Sequence, residues 1–334
     1  MGRPKKILNN PANVVTELLD GLVLAADGGL VRLDNRSVLV RPNIPKGKVG
    51  LIIGGGSGHE PLFSGFVGDN LADAAVCGEV FAAPSPDQIL DAIAAVDSGA
   101  GVLFVYGNYA GDNMNFDIAA ELAEEEGHTV RTVRVWDDVA AAPLDRITDR
   151  RGIAGDFFVI KVAGAAAATW SDLDEVYRVA CKARDNTRSM GVALAAGSIP
   201  ETGERTFELP DDEIEIGMGA HGEPGVSRQK LTTADDIADQ LMQLILADLP
   251  FKAGDEVALL LNNLGSTTLM EMLIVNRRVR NILAEAGITV HRTDIGSFLT
   301  CQEMAGMSIS LMRLDDELKR FLDAPARSVG YSKA

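Results

Sequence analysis

Apolar positions follow two periods along the chain, and their alternation sets the expected architecture. Residues 49–53 form a short apolar run that ends in glycines, the pattern of a buried strand. Further on, Ser85-Pro86-Asp87-Gln88 has the form of a helix start. Ser85 can cap, Pro86 suits the first helical position, and Gln88 can close a capping box. Ile89, Leu90, Ile93 and Val96 then mark one helical face, with Gly99 placed to end it. Residues 102–106 predict another buried strand and 116–126 a helix stopped by Gly127. Val130, Val133 and Val135 predict a further strand.

The alternation resumes near Met190. "MGVALAAG" is strand-like, Glu213–Ile216 alternates, and 234–246 is amphipathic. Residues 255–261 read as a buried strand, with a long helix after Ser266. Ile309 and Leu311 lie in an alternating stretch before a last helix from Asp315. Strands interleaved with helices predict α/β layers. A length of 334 residues suits two domains at roughly 150 residues each. The boundary is expected in the helical region around 170–190, giving domains 1–185 and 186–334.

Composition narrows the partners. The chain is 46% hydrophobic and 24% charged, ordinary for globular cores. Its net charge of −17 argues against nucleic acid and anionic membranes. "MGRPKK" is basic, but no apolar segment follows to make a signal peptide. Lys6 also breaks the myristoylation pattern. No apolar run approaches the roughly 20 residues that span a bilayer. Cys77, Cys181 and Cys301 are far apart and odd in number. They are expected as buried thiols in a reducing cytoplasm, not as a disulfide framework or zinc site.

The chemistry concentrates in three glycine-rich stretches. "IIGGGSGHEP", 52–61, delivers an apolar run into glycines and then His59. It lacks the Lys-Ser/Thr of a P-loop. His59 stands where a dinucleotide fingerprint needs its third glycine and where a nucleophile elbow needs its last. Residues 54–58 offer backbone N–H groups to a polar ligand; a tight turn with no ligand is the alternative. "GMGAHGEPG", 217–225, repeats the theme around His221. The other two histidines, His128 and His291, lie in or beside strand patterns and read as structural. "GNYAGDNMNF", 107–116, places Asp112 at a strand-to-helix junction. There Asn113 or Asn115 can cap, and Asp112 can equally be a turn residue. Two histidines and a carboxylate on glycine loops make a plausible acid/base and nucleophile set for a small-molecule enzyme.

Taken together, "GGGSGHEP" (54–61), "GEVFAAPSPDQI" (78–89), "GNYAGDNMNF" (107–116), "GMGAHGEPG" (217–225) and "LLNNLGSTTL" (260–269) resemble the substrate-binding K subunit of dihydroxyacetone kinases. The resemblance runs over nearly the whole chain. It implies a two-domain α/β subunit: a three-layer first domain with a mostly parallel sheet, and a two-layer second domain with a mixed sheet. It also implies a homodimer that holds a short ketose as a hemiaminal on His221. By the same resemblance, Asp112 accepts the proton of the terminal hydroxyl and His59 hydrogen-bonds it. Gly56, Ser57, Gly58 and Gly107 would supply substrate contacts. No cofactor or metal is expected on this chain. ATP or ADP with magnesium would sit on an L-type partner, with a phosphotransferase-system phosphoprotein possible upstream.

Two positions depart from the family's pattern. Gly107 stands where the family commonly has lysine, and Ala83 where it tends to have serine. Both changes remove a polar group and volume, so a ketose longer than three carbons, such as erythrulose, is expected unless a neighbouring side chain fills the gap. The competing account is non-catalytic: a ketose-sensing co-regulator or a carbonyl-binding carrier. Turnover of ATP with a ketose in the presence of an L partner separates the two.

Overall fold

The computed structural model describes residues 5–34 and 36–334, so the first four residues of the basic N-terminal stretch lie outside it. The chain divides into two compact units. One holds residues 5–135, 156–183 and 318–334; the other holds 136–155 and 184–317. A single cut after residue 185 therefore does not describe them. Residues 136–155 belong with the later half, where Asp138 bridges to Ser189, and the C-terminal segment returns to the earlier unit.

The first unit is built on six strands: β1 (Val31–Arg32), β2 (Val38–Val40), β3 (Gly50–Ser57), β4 (Ala74–Val80), β5 (Val102–Gly107) and β6 (Val130–Val135). Their order is β1-β2-β4-β3-β5-β6. The four strands from β4 to β6 are parallel to one another, while β1 and β2 add antiparallel pairs. Parallel strands are covered on both faces and read as unbroken apolar runs; β5 is buried at all six positions. The unit's first five helices are α1 (Val14–Ala25), α2 (Pro86–Val96), α3 (Ala110–Glu125), α4 (Asp156–Ala167) and α5 (Leu173–Asp185). A Cβ at Gly50 would stand 2.8 Å from Val96 of α2, and one at Gly54 would stand 2.9 Å from the Phe116 ring of α3. Bare backbone at these two places lets the helices approach β3 closely.

α2 starts where expected, but its capping box does not form. The Ser85 hydroxyl turns to Asp87, and Gln88 Oε1 accepts from the Ser37 N–H at 2.9 Å. Ala92 takes a core place, while Leu90 is half-buried. α3 begins six residues earlier than its apolar period suggests, because its polar first turns carry no core residue before Phe116. The period missed α4 altogether. All twelve of its residues are buried, and a helix enclosed on every side has no polar stripe to reveal it.

The second unit carries β7 (Thr187–Ala195), β8 (Glu213–Ile216), β9 (Ser227–Lys230), β10 (Glu256–Asn263), β11 (Thr289–Gly296) and β12 (Ala305–Leu314), in the order β11-β10-β12-β7-β8-β9. Only β10 and β11 pair in parallel. α6 (Ala234–Asp248) and α7 (Leu269–Glu285) pack on this mixed sheet. Leu241, Ile245, Val275 and Val279 meet Val257, Leu259, Ile309 and Leu311 in one core. Thr233 and Thr268 close true capping boxes with Asp236 and Glu271. After β12, α8 (Asp316–Asp323) leads back to the first unit. Among the described residues no helix is long and apolar enough to cross a membrane.

Candidate active site

Sheet order in the first unit points to a site. From β3 the chain moves to β4 on one side and then to β5 on the other. In open α/β sheets, ligands bind beyond the carboxyl ends of strands at such a reversal. β3 delivers His59 there, and β5 delivers Asn108, Tyr109 and the first turn of α3.

The glycines before His59 do not form the bare loop expected of them. Gly54, Gly55, Gly56 and Ser57 lie in β3 and pair with β4. A Cβ at Gly55 would come within 2.3 Å of the Phe63 ring, and one at Gly56 within 2.8 Å of Ala82 N. Much of the glycine run therefore serves close packing, and the loop proper starts at Gly58, with φ +102°. The segment after β4 folds onto it. Phe81 N–H donates to Ser57 O at 2.9 Å, and Ser57 Oγ donates to Gly78 O at 2.7 Å. The Phe81 ring lies 5.0 Å from the His59 ring, which is only 5% exposed. Burial pushes the neighbouring Glu60 carboxyl above its ordinary range, against a bond from Gly58 N–H.

Asp112 sits in the first turn of α3, where the helix dipole favours an anion. It is half-buried. Neither asparagine caps this helix. Asn113 Nδ2 donates to Asn108 Oδ1 at 2.8 Å, and Asn115 Nδ2 donates to Pro84 O at 2.8 Å. They tie α3 to its own entry loop and to the 78–85 segment. Ala83 Cβ lies 3.3 Å from where a Cβ at Gly111 would stand. The 56–60, 81–85 and 107–112 segments thus meet, with His59, Ala83 and Asp112 among them. Gly107 closes β5 opposite Val135.

The second unit presents His221 in the hairpin loop between β8 and β9. Its backbone N–H donates to Glu223 Oε2 at 2.9 Å, and its Nδ1 lies 3.2 Å from Glu223 Oε1. Glu223 Oε2 is 3.9 Å from Arg151 Nη1, and Arg151 Nη2 donates to Asp138 Oδ2 at 2.8 Å. Burial alone would raise the Glu223 carboxyl; the bond and charge of His221, helped by backbone N–H groups, outweigh it and hold the group at about 2. Asp138 goes the other way, pushed up to about 6 by burial in spite of Arg151. A Cβ at Gly219 would stand 2.3 Å from Glu223 Oε2 and 2.5 Å from Arg151, so this glycine is needed for the cluster to close.

Sequence reasoning found His221 but assigned Glu223 no role, although their two-residue spacing was visible. Arg151 and Asp138 gave no signal, since they arrive from a segment 70 to 83 residues earlier in the chain. The remaining histidines make carboxylate bonds: His128 Nδ1 to Asp97 at 2.6 Å and His291 Nδ1 to Glu256 at 3.0 Å. The three cysteines are free; Cys77 and Cys301 are buried as expected, but Cys181 is only half-buried, and burial raises the Cys77 thiol to about 12. Among the described residues, no group of three or more His, Cys, Asp or Glu is placed to hold a metal.

A family model described as the Dak1 domain matches residues 20–330. The chain belongs to the Dak1 family. This Dak1 chain is 47% identical over 324 residues to the "PTS-dependent dihydroxyacetone kinase 2, dihydroxyacetone-binding subunit DhaK" of Listeria innocua, covering 96% of this chain and 97% of that one. It is 40% identical to the "L-erythrulose 1-kinase" of Mycolicibacterium smegmatis, with 98% of this chain matching 58% of that longer protein. Among solved structures, the "dihydroxyacetone kinase operon co-activator Dha-DhaQ" superposes with a TM-score of 0.90 at 32% identity, covering 95% of the Dak1 chain and 98% of that chain.

Proposed function

We propose that this chain is the ketose-binding subunit of a dihydroxyacetone-type kinase, and that His221 captures a short ketose covalently. The observation that carries this reading is the Nδ1 bond of His221 to an ionised Glu223. That bond favours the tautomer with the proton on Nδ1 and the lone pair on Nε2. Nε2 adds to the ketone carbon as the carbonyl π bond opens, and the Glu223 anion stabilises the positive charge that develops on the ring. The Nδ1 proton is then released to solvent and the carbonyl oxygen takes one up. The product is a neutral hemiaminal. Polyols offer no such carbon, so the step selects ketones by reaction.

In the same reading Asp112 accepts the proton of the substrate's terminal hydroxyl, and His59 hydrogen-bonds that hydroxyl. Gly56, Ser57, Gly58 and Gly107 contact the sugar. The phosphoryl group comes from a nucleotide and magnesium held by an L-type partner. The name of the Listeria innocua relative supports a link to the phosphotransferase system. The word "subunit" in the same name supports a nucleotide part on a separate chain. The absence of side-chain bulk at Ala83 and Gly107, together with the substrate in the name of the Mycolicibacterium smegmatis relative, supports a tetrulose as the preferred sugar. A homodimer and a cytoplasmic location belong to the same proposal.

The test is a titration with C2-labelled dihydroxyacetone and erythrulose, followed by carbon-13 NMR. We expect the ketone signal to give way to a tetrahedral carbon, with erythrulose captured more tightly, and His221→Ala to abolish the change. Asp112→Asn should keep capture but slow turnover with an L-type partner by about 10²–10⁴-fold. A carbon that stays trigonal with both sugars would overturn the capture mechanism. Capture without turnover would favour the second reading, a ketose-sensing co-regulator, which the likeness to the co-activator structure supports.

A further inference from the structure

Acidic residues outnumber basic ones 48 to 31 in this chain, yet one cavity of the first unit reverses the balance. It has a volume of about 770 Å³ and is lined by Arg41, Lys46, Lys48, Arg327 and Lys333 against two carboxylates, the Asp69 side chain and the α-carboxylate of Ala334. Three of these cations are already engaged. Lys48 is buried against Asp73. Arg41 reaches Asp69 at 3.2 Å and Asp73 at 3.4 Å. Lys333 holds Asp323 at 2.7 Å. Lys46 and Arg327 are different: both are exposed, and neither side chain has an ion pair or hydrogen bond among the described residues. The cavity therefore holds two uncommitted cations beside three that anchor its walls.

The walls are tied to each other, so the cavity exists without a ligand to shape it. Asp69 and Arg327 exchange backbone hydrogen bonds of 2.9 and 3.1 Å, and Asn70 Nδ2 donates to Pro325 O at 2.6 Å. A further wall is the carboxyl end of α4 and the residues after it. There the Gly164 and Ala166 carbonyls accept backbone N–H groups and the Ala165 carbonyl accepts Thr169 Oγ1. Those of Ala167 and Ala168 take no backbone hydrogen bond among the described residues. This end of the helix repels a bare anion but accepts hydroxyl donors. The cavity thus offers cations for a charged head and carbonyl oxygens for hydroxyl groups.

We propose that this cavity is a second small-molecule site, separate from the loops of His59 and Asp112, and that it takes a phosphorylated polyol or sugar. The phosphate lies with Lys46 and Arg327, where charge-assisted hydrogen bonds are strong. The hydroxyls face the end of α4. A plain sugar lacks the charge and inorganic phosphate lacks the hydroxyls, so both bind more weakly.

Calorimetric titration at low ionic strength tests this, using the full chain carrying His221→Ala so that ketose capture makes no contribution. The probes are ribose 5-phosphate, inorganic phosphate and ribose. We expect one saturable site for ribose 5-phosphate, weaker binding of phosphate and none of ribose. Lys46→Gln or Arg327→Gln, at exposed positions that leave the core intact, should each weaken ribose 5-phosphate about tenfold, as for loss of one charge-assisted hydrogen bond. No saturable heat with ribose 5-phosphate, or affinity unchanged by both substitutions, would overturn the site. Phosphate binding as tightly as ribose 5-phosphate would overturn the sugar part of the assignment.

Discussion

His221 and Glu223 lie two residues apart, and the turn between them brings a carboxylate onto both the backbone N–H and Nδ1 of the histidine. Glu223 acts through His221, which makes it a positioning residue in the proposed capture. Its folded pKa of about 2 is below its ordinary value of 4.5. The ionised group therefore favours the folded state above pH 4.5, and that contribution is lost as pH falls through the window toward about 2. Urea midpoints measured between about pH 6 and pH 3 should fall more steeply for the native chain than for Glu223→Gln. Equal slopes would show that the pairing does not hold in solution. The same variant should weaken ketone capture about tenfold or more while leaving the hemiaminal's NMR signature unchanged, because the nucleophile remains and only its tautomer bias is lost.

Single elements carry the site through their glycines. β3 places Gly54, Gly55 and Gly56 where β4, the Phe63 ring and the 81–82 backbone come too close for side chains. The strand end, and with it His59, is held from several directions. Gly56→Ala would put its Cβ 2.8 Å from Ala82 N and 3.0 Å from Phe81. It should destabilise the fold by about 1–3 kcal/mol through overpacking, read as a lower urea midpoint. It should also displace the Phe81 turn, with its ring against His59. An unchanged midpoint would mean that the 78–85 segment yields freely. α3 shows a second dependence on context. Its polar first turns gain nothing from core packing, and they are fixed by Asn113 and Asn115 bonding to the loops around them.

At the scale of the whole molecule, each unit gathers distant stretches of chain around buried charge. In the unit of β7–β12, Arg150, 1% exposed, places its two terminal nitrogens on the two carboxylate oxygens of Asp248. Arg188 joins from β7, so the 136–155 segment, the central sheet and the end of α6 share one ionic knot. Burial works against the Asp248 anion, but the two arginines hold its carboxyl below the ordinary range. Arg150→Met should cost about 3–5 kcal/mol, as for other buried pairs that lose one partner. Calorimetry should show this as a fall in melting temperature of several degrees. A melting temperature within one degree of the native value would make Arg188 sufficient by itself.

The sequence alone determined the α/β class, about half of the strands and the amphipathic helices α2, α6 and α7. Their apolar period is a local property that one buried face imposes. It also singled out His59, Asp112 and His221, because ionisable side chains among glycines after apolar runs are chemically conspicuous. Tertiary structure decided the rest. α4 was illegible because a helix buried all round has no period. The units could not be read from one boundary, since 136–155 and 318–334 join partners far away in the chain. Gly54–Gly56 looked like a ligand loop, and only the positions of Phe63, Ala82 and Phe116 show them packing a strand. Glu223, Arg151 and Asp138 became a cluster only when residues far apart in the chain met. Hydrogen bonds that define such a cluster depend on distance in space, which no sequence interval records.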